Sequence, residues 1–168
     1  FDRRGGGPIQ IWRRADGRME VISGRHRLDL ARRSGETTIP AQVYNETDGF
    51  DKFAAASLDA ELNIRDGQGK VKDYVQFFQN PAFDGEQGRQ AAESRGLLAR
   101  ATGKRAYTIA SAGSPDLIAA HSAAKLTDEA AVQIASAAPN NAGLQALGMK
   151  LVQEGKAINL AANTMRAV

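Results

Sequence analysis

The segment Met19–Gly35, MEVISGRHRLDLARRSG, does most to limit what this chain can fold into. Met19–Ile22 is a short apolar run of the strand type. Gly24 separates it from Leu28, Leu30 and Ala31, which arginines space out in a helical manner. A strand that passes through one glycine straight into a helix leaves the first N–H groups of that helix without partners inside it. Together with the positive end of the helix dipole, those groups form a place for an anion. The spacing predicts a helix from about Arg25 to Arg33, stopped at Ser34-Gly35.

The flanking residues extend this unit. Gly5-Gly6-Gly7-Pro8 is a flexible lead-in, and Ile9–Trp12 alternates weakly up to the turn signal Ala15-Asp16-Gly17. Ile9–Trp12 and Met19–Ile22 are expected to pair as an antiparallel hairpin. Thr38–Tyr44 is rich in β-formers and is expected as a third strand, with Pro40 at an edge or at the strand's start. From Asp48 or Asp51 the pattern turns helical through Leu62 and is broken at Asp66-Gly67-Gln68-Gly69. Val71, Tyr74, Val75 and Phe78 recur at helical spacing up to Asn80-Pro81. This places a first subdomain at 1–80 and an all-helical one at 81–168. The second is expected to hold helices over Gly85–Leu98 and Thr102–Ala112, one opened by Ser114-Pro115, one begun at Thr127, one from Asn140 or Asn141 to Glu154, and one over Ala157–Ala167.

Composition excludes several chemistries. There is no cysteine, hence no disulfide, no thiolate metal site and no cysteine nucleophile. The two histidines, His26 and His121, are far apart, which argues against a histidine-rich metal site and leaves a carboxylate-bound Mg²⁺ open. No apolar run approaches the roughly 18 residues of a membrane span, and FDRRGGGP has no apolar stretch of the signal-peptide kind. A cytoplasmic protein that meets no membrane is the expectation. A chain that starts at Phe1 reads as a piece of a longer polypeptide, truncated at its amino end, with other domains of that parent as neighbours.

The net charge is +3. Its distribution says more than its size. Arg3, Arg4, Arg13, Arg14, Arg18, Arg25, Arg27, Arg32 and Arg33 all precede the first lysine. The planar guanidinium fork matches phosphate better than the point charge of lysine does. Arg13, Arg14 and Arg18, interleaved with Asp16 and Glu20, read as a solvated face. At the strand-to-helix turn, Gly24 lets backbone approach a phosphate and Arg25 and Arg27 can add charge-assisted bonds. Ser23 can cap the helix or donate to the anion, and His26 can serve as a donor or acid–base group. Ser23, His26 and Asp29 do not make a triad, because all three lie on one turn of chain. Asp29 is expected to pair with Arg25, Arg32 or Arg33.

The segment EVISGRHRLDLARRSGETTIPAQVY resembles the ParB family: a strand, a Gly-x-His-Arg turn, a helix, a glycine and an Ile-Pro strand. PIQIWRR is similar to the strand that precedes it there. Asn63, Ile64 and Arg65 in AELNIRDGQGKVKDYVQFF are similar to the family's Glu-Asn-(Ile/Leu)-x-Arg box. The order and spacing fit a ParB-like subfamily of large polyvalent proteins of phages and mobile elements. The resemblance covers the first half of the chain and extends loosely into the helices. It implies an α+β fold of the ParB/sulfiredoxin type, a small mixed sheet with helices, followed by a helical subdomain where ParB places a helix-turn-helix.

It also implies a nucleotide ligand, typically CTP with Mg²⁺. Ser23, Gly24, Arg25, His26 and Arg27 would sit at the phosphates, and Asn63 and Arg65 in the second box. Leu62 stands where the family has its acidic residue, and Glu61 is one position earlier, about 100° round a helix. Some relatives have been assigned nuclease or ATPase activity. A metal-dependent nuclease or nucleotidase, CTPase-like or DNase, is therefore an alternative. In it His26 and Glu61 would be catalytic, with Asp66 nearby and Glu61 the metal candidate. Sulfiredoxin chemistry needs a cysteine in the turn, and this chain has none. Arg89–Leu98, a turn and Lys104–Ala112 outline a degenerate helix-turn-helix, with Arg100, Lys104, Arg105, Tyr107 and Thr108 toward DNA. A third reading keeps the scaffold, loses the ligand and uses the alanine-rich helices for homodimerisation or docking.

Overall fold

The computed structural model describes residues 7–167; Arg3, Arg4 and most of the glycine lead-in lie outside them. The described residues form an α+β protein. Strands β1 (Ile9–Arg13) and β2 (Met19–Ser23) precede helix α1 (Arg25–Arg33), strand β3 (Ala41–Asn45) and helix α2 (Lys52–Arg65). The remainder is helical: α3 (Val71–Phe78), α4 (Gly85–Ser94), α5 (Ala101–Ala112), α6 (Pro115–Ser122), α7 (Asp128–Ala137), α8 (Ala142–Gln153) and α9 (Ile158–Ala167). None of these helices is long and apolar enough to cross a membrane.

The chain divides into two compact units, the first ending at Asn63 and the second beginning at Ile64. The boundary expected near Pro81 is thus displaced. Val71, Val75 and Phe78 of α3 are buried with Phe83, Ala92, Ala106 and Ile109. Helix α3, expected to close the first unit, therefore packs chiefly on α5 of the second.

In the first unit β1 is the central strand of a mixed sheet ordered β2-β1-β3. It pairs antiparallel with β2, as the Asp16-Gly17 turn signal requires, and parallel with β3. The third strand begins later than expected. Pro40 cannot donate to a ladder; it lies just before β3, and its carbonyl accepts from Ile9 N at 3.0 Å. Trp12, Ile22 and Ala55 form the core, with Tyr44, Phe50 and Leu58 packed against them. Trp12 Nε1 donates to Phe50 O at 2.8 Å, which ties the central strand to the entry of α2.

In the second unit, side-chain caps mark three helix starts. Ser114, Thr127 and Asn141 accept from Leu117 N, Ala130 N and Leu144 N respectively. Two of these starts follow the expected signals directly, and Asn141 settles the choice left open at Asn140–Asn141. A core of Leu117, Leu126, Ala130, Ile134, Ala162 and Met165 lies among α6, α7 and α9. Helix α4 is shorter than Gly85–Leu98. Gly96 takes a positive φ of 71° and Leu97 N returns to Ala92 O at 3.0 Å, so the chain turns four residues early.

Candidate functional site

Helix α1 starts without a break from β2. Gly24 occupies its first capping position with φ 98°, and a Cβ there would lie 2.6 Å from Ile9 Cγ2. Both the left-handed backbone and the close approach of Ile9 require glycine. No side chain caps α1, and its first turn holds no acidic residue. Ser23 ends β2, paired with Gln10, and does not cap the helix.

The two turn arginines are tied to different segments. Arg25 Nη2 donates to Val21 O at 2.8 Å, whereas Arg27 Nη1 donates to Gly7 O at 2.8 Å and Pro8 O at 3.1 Å. His26 is exposed on the same turn. Asp29 pairs with Arg33, one turn on, which is one of the partners its spacing allowed. On α2, Leu62 is buried, Glu61 is exposed and Asn63 is half-buried. Arg65 bonds its chain neighbour Asp66 at 3.3 Å. Asn63 and Arg65 fall on either side of the division between the units.

A groove of about 380 Å³ opens beside the turn. Arg25 lines it, opposite Lys52, Ala55, Ala56 and Asp59 of α2. These four share one helix face by their i, i+3, i+4, i+7 spacing. That face was legible; its apposition to Arg25 was not, because it depends on how the sheet and α2 pack.

Arg14 also lines the groove and corrects the expectation of a merely solvated face. Its guanidinium lies over the Trp12 ring at 4.3 Å and bonds Glu20 at 2.9 Å and Glu46 at 3.4 Å. The bond to Glu20 raises its pKa further above the ordinary arginine value.

In the second unit, Lys104, Tyr107 and Thr108 line a concavity of about 670 Å³ together with Arg89 and Glu93 of α4. Arg89 Nε lies 3.2 Å from Glu93 Oε1. Arg105 is turned elsewhere, 4.0 Å from Glu129. Arg100 is the exposed residue before α5 and caps nothing with its side chain. Tyr107 OH donates toward Phe83 O at 3.3 Å, and its ring meets Phe78 edge-on at 5.2 Å. Burial raises its pKa above the usual tyrosine value.

His121 is buried. Its Nε2 lies 2.7 Å from Asp128 Oδ1, while its Nδ1 has no hydrogen-bond partner. Among the described residues, no three His, Asp or Glu side chains gather as metal ligands would. Leu62, at the position where the resemblance to ParB places an acidic residue, is buried in α2. No protein-family model, no curated protein and no solved structure matches this chain.

Proposed function

We propose that the first unit is a ParB-like module of a larger phage or mobile-element protein, and that it holds the phosphates of a nucleotide or nucleic acid at the Ser23–Arg27 turn. The observation that carries this is the start of α1. A glycine that tolerates no Cβ leads into a helix with no side-chain cap, no acidic residue in its first turn, and arginines at its first and third positions. The first turn of a helix has amides without partners inside the helix, and with the dipole these favour a negative group there. Arg25 stays at the rim because only part of its guanidinium is bonded, to Val21 O. The sequence resemblance to ParB makes a nucleoside triphosphate, CTP foremost, the first ligand to try. Mg²⁺ would arrive with the triphosphate, since it commonly keeps waters and phosphate oxygens as ligands.

The test is a thermal-shift panel with CTP, ATP, GTP and inorganic triphosphate, with and without Mg²⁺. At 100 times its dissociation constant a ligand adds about 2.7 kcal/mol of stability, and Arg25→Ala should remove most of that gain. Absence of a shift with every one of these ligands would overturn the reading. A shift equally large in Arg25→Ala would move the ligand away from this turn.

A further inference from the structure

The concavity of the second unit decides what kind of nucleic acid it suits. A helix that reads duplex DNA must project, because it enters a major groove about 12 Å wide with its polar side chains outermost. Helix α5 is placed otherwise. Lys104, Tyr107, Thr108 and Ser111, at i, i+3, i+4 and i+7, form one face of it, and that face is the wall of a hollow. The opposite wall is Arg89 and Glu93 of α4, and the end is closed by the turn that includes Leu98. The face is thus one side of a concavity and not a projecting ridge of the kind that enters a major groove.

The hollow is also held in shape. Gly103 is buried in the first turn of α5, and a Cβ there would lie 1.7 Å from Leu97 O. The turn therefore lies directly on the helix backbone. Helix α4 packs mainly on the Pro81–Phe83 turn, and α5 on α3 and α7. The two helices act as separate walls and are not the packed pair of a helix-turn-helix.

The chemistry of the walls suits an extended polyanion. Arg89 and Lys104 are the cations that line it, Glu93 is its one carboxylate and is paired by Arg89, and Arg95 and Arg100 follow nearby along the chain. Lys104 is exposed. Thr108 Oγ1 and Ser111 Oγ donate to Lys104 O at 3.1 Å and Tyr107 O at 2.7 Å, so their protons are not available to read base edges. Tyr107 is the aromatic surface in the hollow. Cations along a groove with an aromatic ring are the common means of holding single strands with little sequence preference.

We infer that the α4–α5 concavity binds single-stranded nucleic acid, with Lys104 and Arg89 on the phosphates and Tyr107 against a base. This deepens the nucleic-acid half of the function proposed above and rests on it. The site itself is separate from the nucleotide turn.

The full chain is titrated by fluorescence anisotropy with labelled dT12, with dA12, and with the matching 12-base-pair duplex. The single strands should bind at least tenfold more tightly than the duplex, and dT12 and dA12 within about threefold of each other, the sequence tolerance expected of stacking. Lys104→Glu should weaken dT12 tenfold or more. Lys125→Glu makes the same charge change at another exposed site and should weaken it less than threefold. Circular dichroism checks that both variants fold.

Equal or tighter duplex binding overturns the inference, as does an equal loss in the two lysine variants or no binding of any oligonucleotide. Displacement of dT12 by oligoglutamate at the same charge concentration also overturns it, and assigns the hollow to an acidic peptide. Arg25→Ala, run in parallel, should lose the nucleotide thermal shift while keeping dT12 affinity, so the two sites can fail separately.

Discussion

Gln145 is fully buried in α8 and uses its whole amide. Oε1 accepts from Ser114 N, and Nε2 donates to Ala112 O and Ala138 O, each at 2.7 Å. It thereby supplies the acceptor for the amide before α6 and donors for the carbonyls that end α5 and α7. Removing it would leave the Ser114 amide without an acceptor, whereas Ala112 O and Ala138 O would keep the Asn140 and Asn141 amides, at 2.8 Å and 3.2 Å; a buried donor left unpaired is costly. Gln145→Leu should therefore lower unfolding stability by about 2 kcal/mol, read as a lower urea midpoint at unchanged slope. Gln145→Glu should be no better, because a carboxylate cannot donate to the two carbonyls. Nothing at this position marks it in the sequence, where a polar residue among Leu144, Leu147 and Leu151 reads as surface. Gly24 was different: a glycine between a strand and a helix is itself the signal, and its φ of 98° confirms the need for it.

At the scale of elements, the hairpin between β1 and β2 shows local chemistry holding up in the fold. Asp16 Oδ1 accepts from Arg18 N at 3.0 Å and Oδ2 pairs with Arg18 Nε at 2.7 Å. The bond from the Arg18 backbone, and then the one from its side chain, lower the Asp16 pKa below the usual 3.8. A lowered folded-state pKa means that this stabilisation is present above the unfolded value and is lost as pH falls through the folded one. An NMR titration should place the Asp16 midpoint below that of an unstructured aspartate, and Arg18→Ala should move it back upward only in part, because the backbone donor remains. A midpoint at or above the ordinary value would remove the turn carboxylate from the account of the hairpin. The late start of β3 and the early end of α4 were less legible. Thr38 and Ile39 favour strands, yet the ladder begins only after Pro40, and Leu97 and Leu98 fit a helical pattern that the backbone leaves at Gly96.

At the scale of the molecule, Asp66–Lys70 joins α2 to α3 just past the division between the units. Arg65 and Lys70 are exposed at its ends. Brief trypsin treatment of the native chain should cut first at these two positions. The fragment that starts there should keep a cooperative thermal transition, because it contains two apolar clusters of its own. The shorter fragment, whose core centres on Trp12, Ile22 and Ala55, should be the less stable, since small domains bury a smaller share of their surface. Initial cleavage within α5–α9, or two fragments that melt only together, would contradict two independently folded units.

The sequence alone determined the strand–glycine–helix turn, the hairpin, the order of helices and two of their caps, because each rests on residues within a few positions of one another. Only tertiary structure decided that α3 belongs with α5, that Arg25 and Arg27 reach for different carbonyls, that Arg14 lies over Trp12, and that the polar face of α5 lines a hollow. These depend on which distant surfaces come to share a core. The apolar face of α3 would suit either core, and the other residues concerned are polar or arginine, whose local pattern is the same whether they face water or another helix.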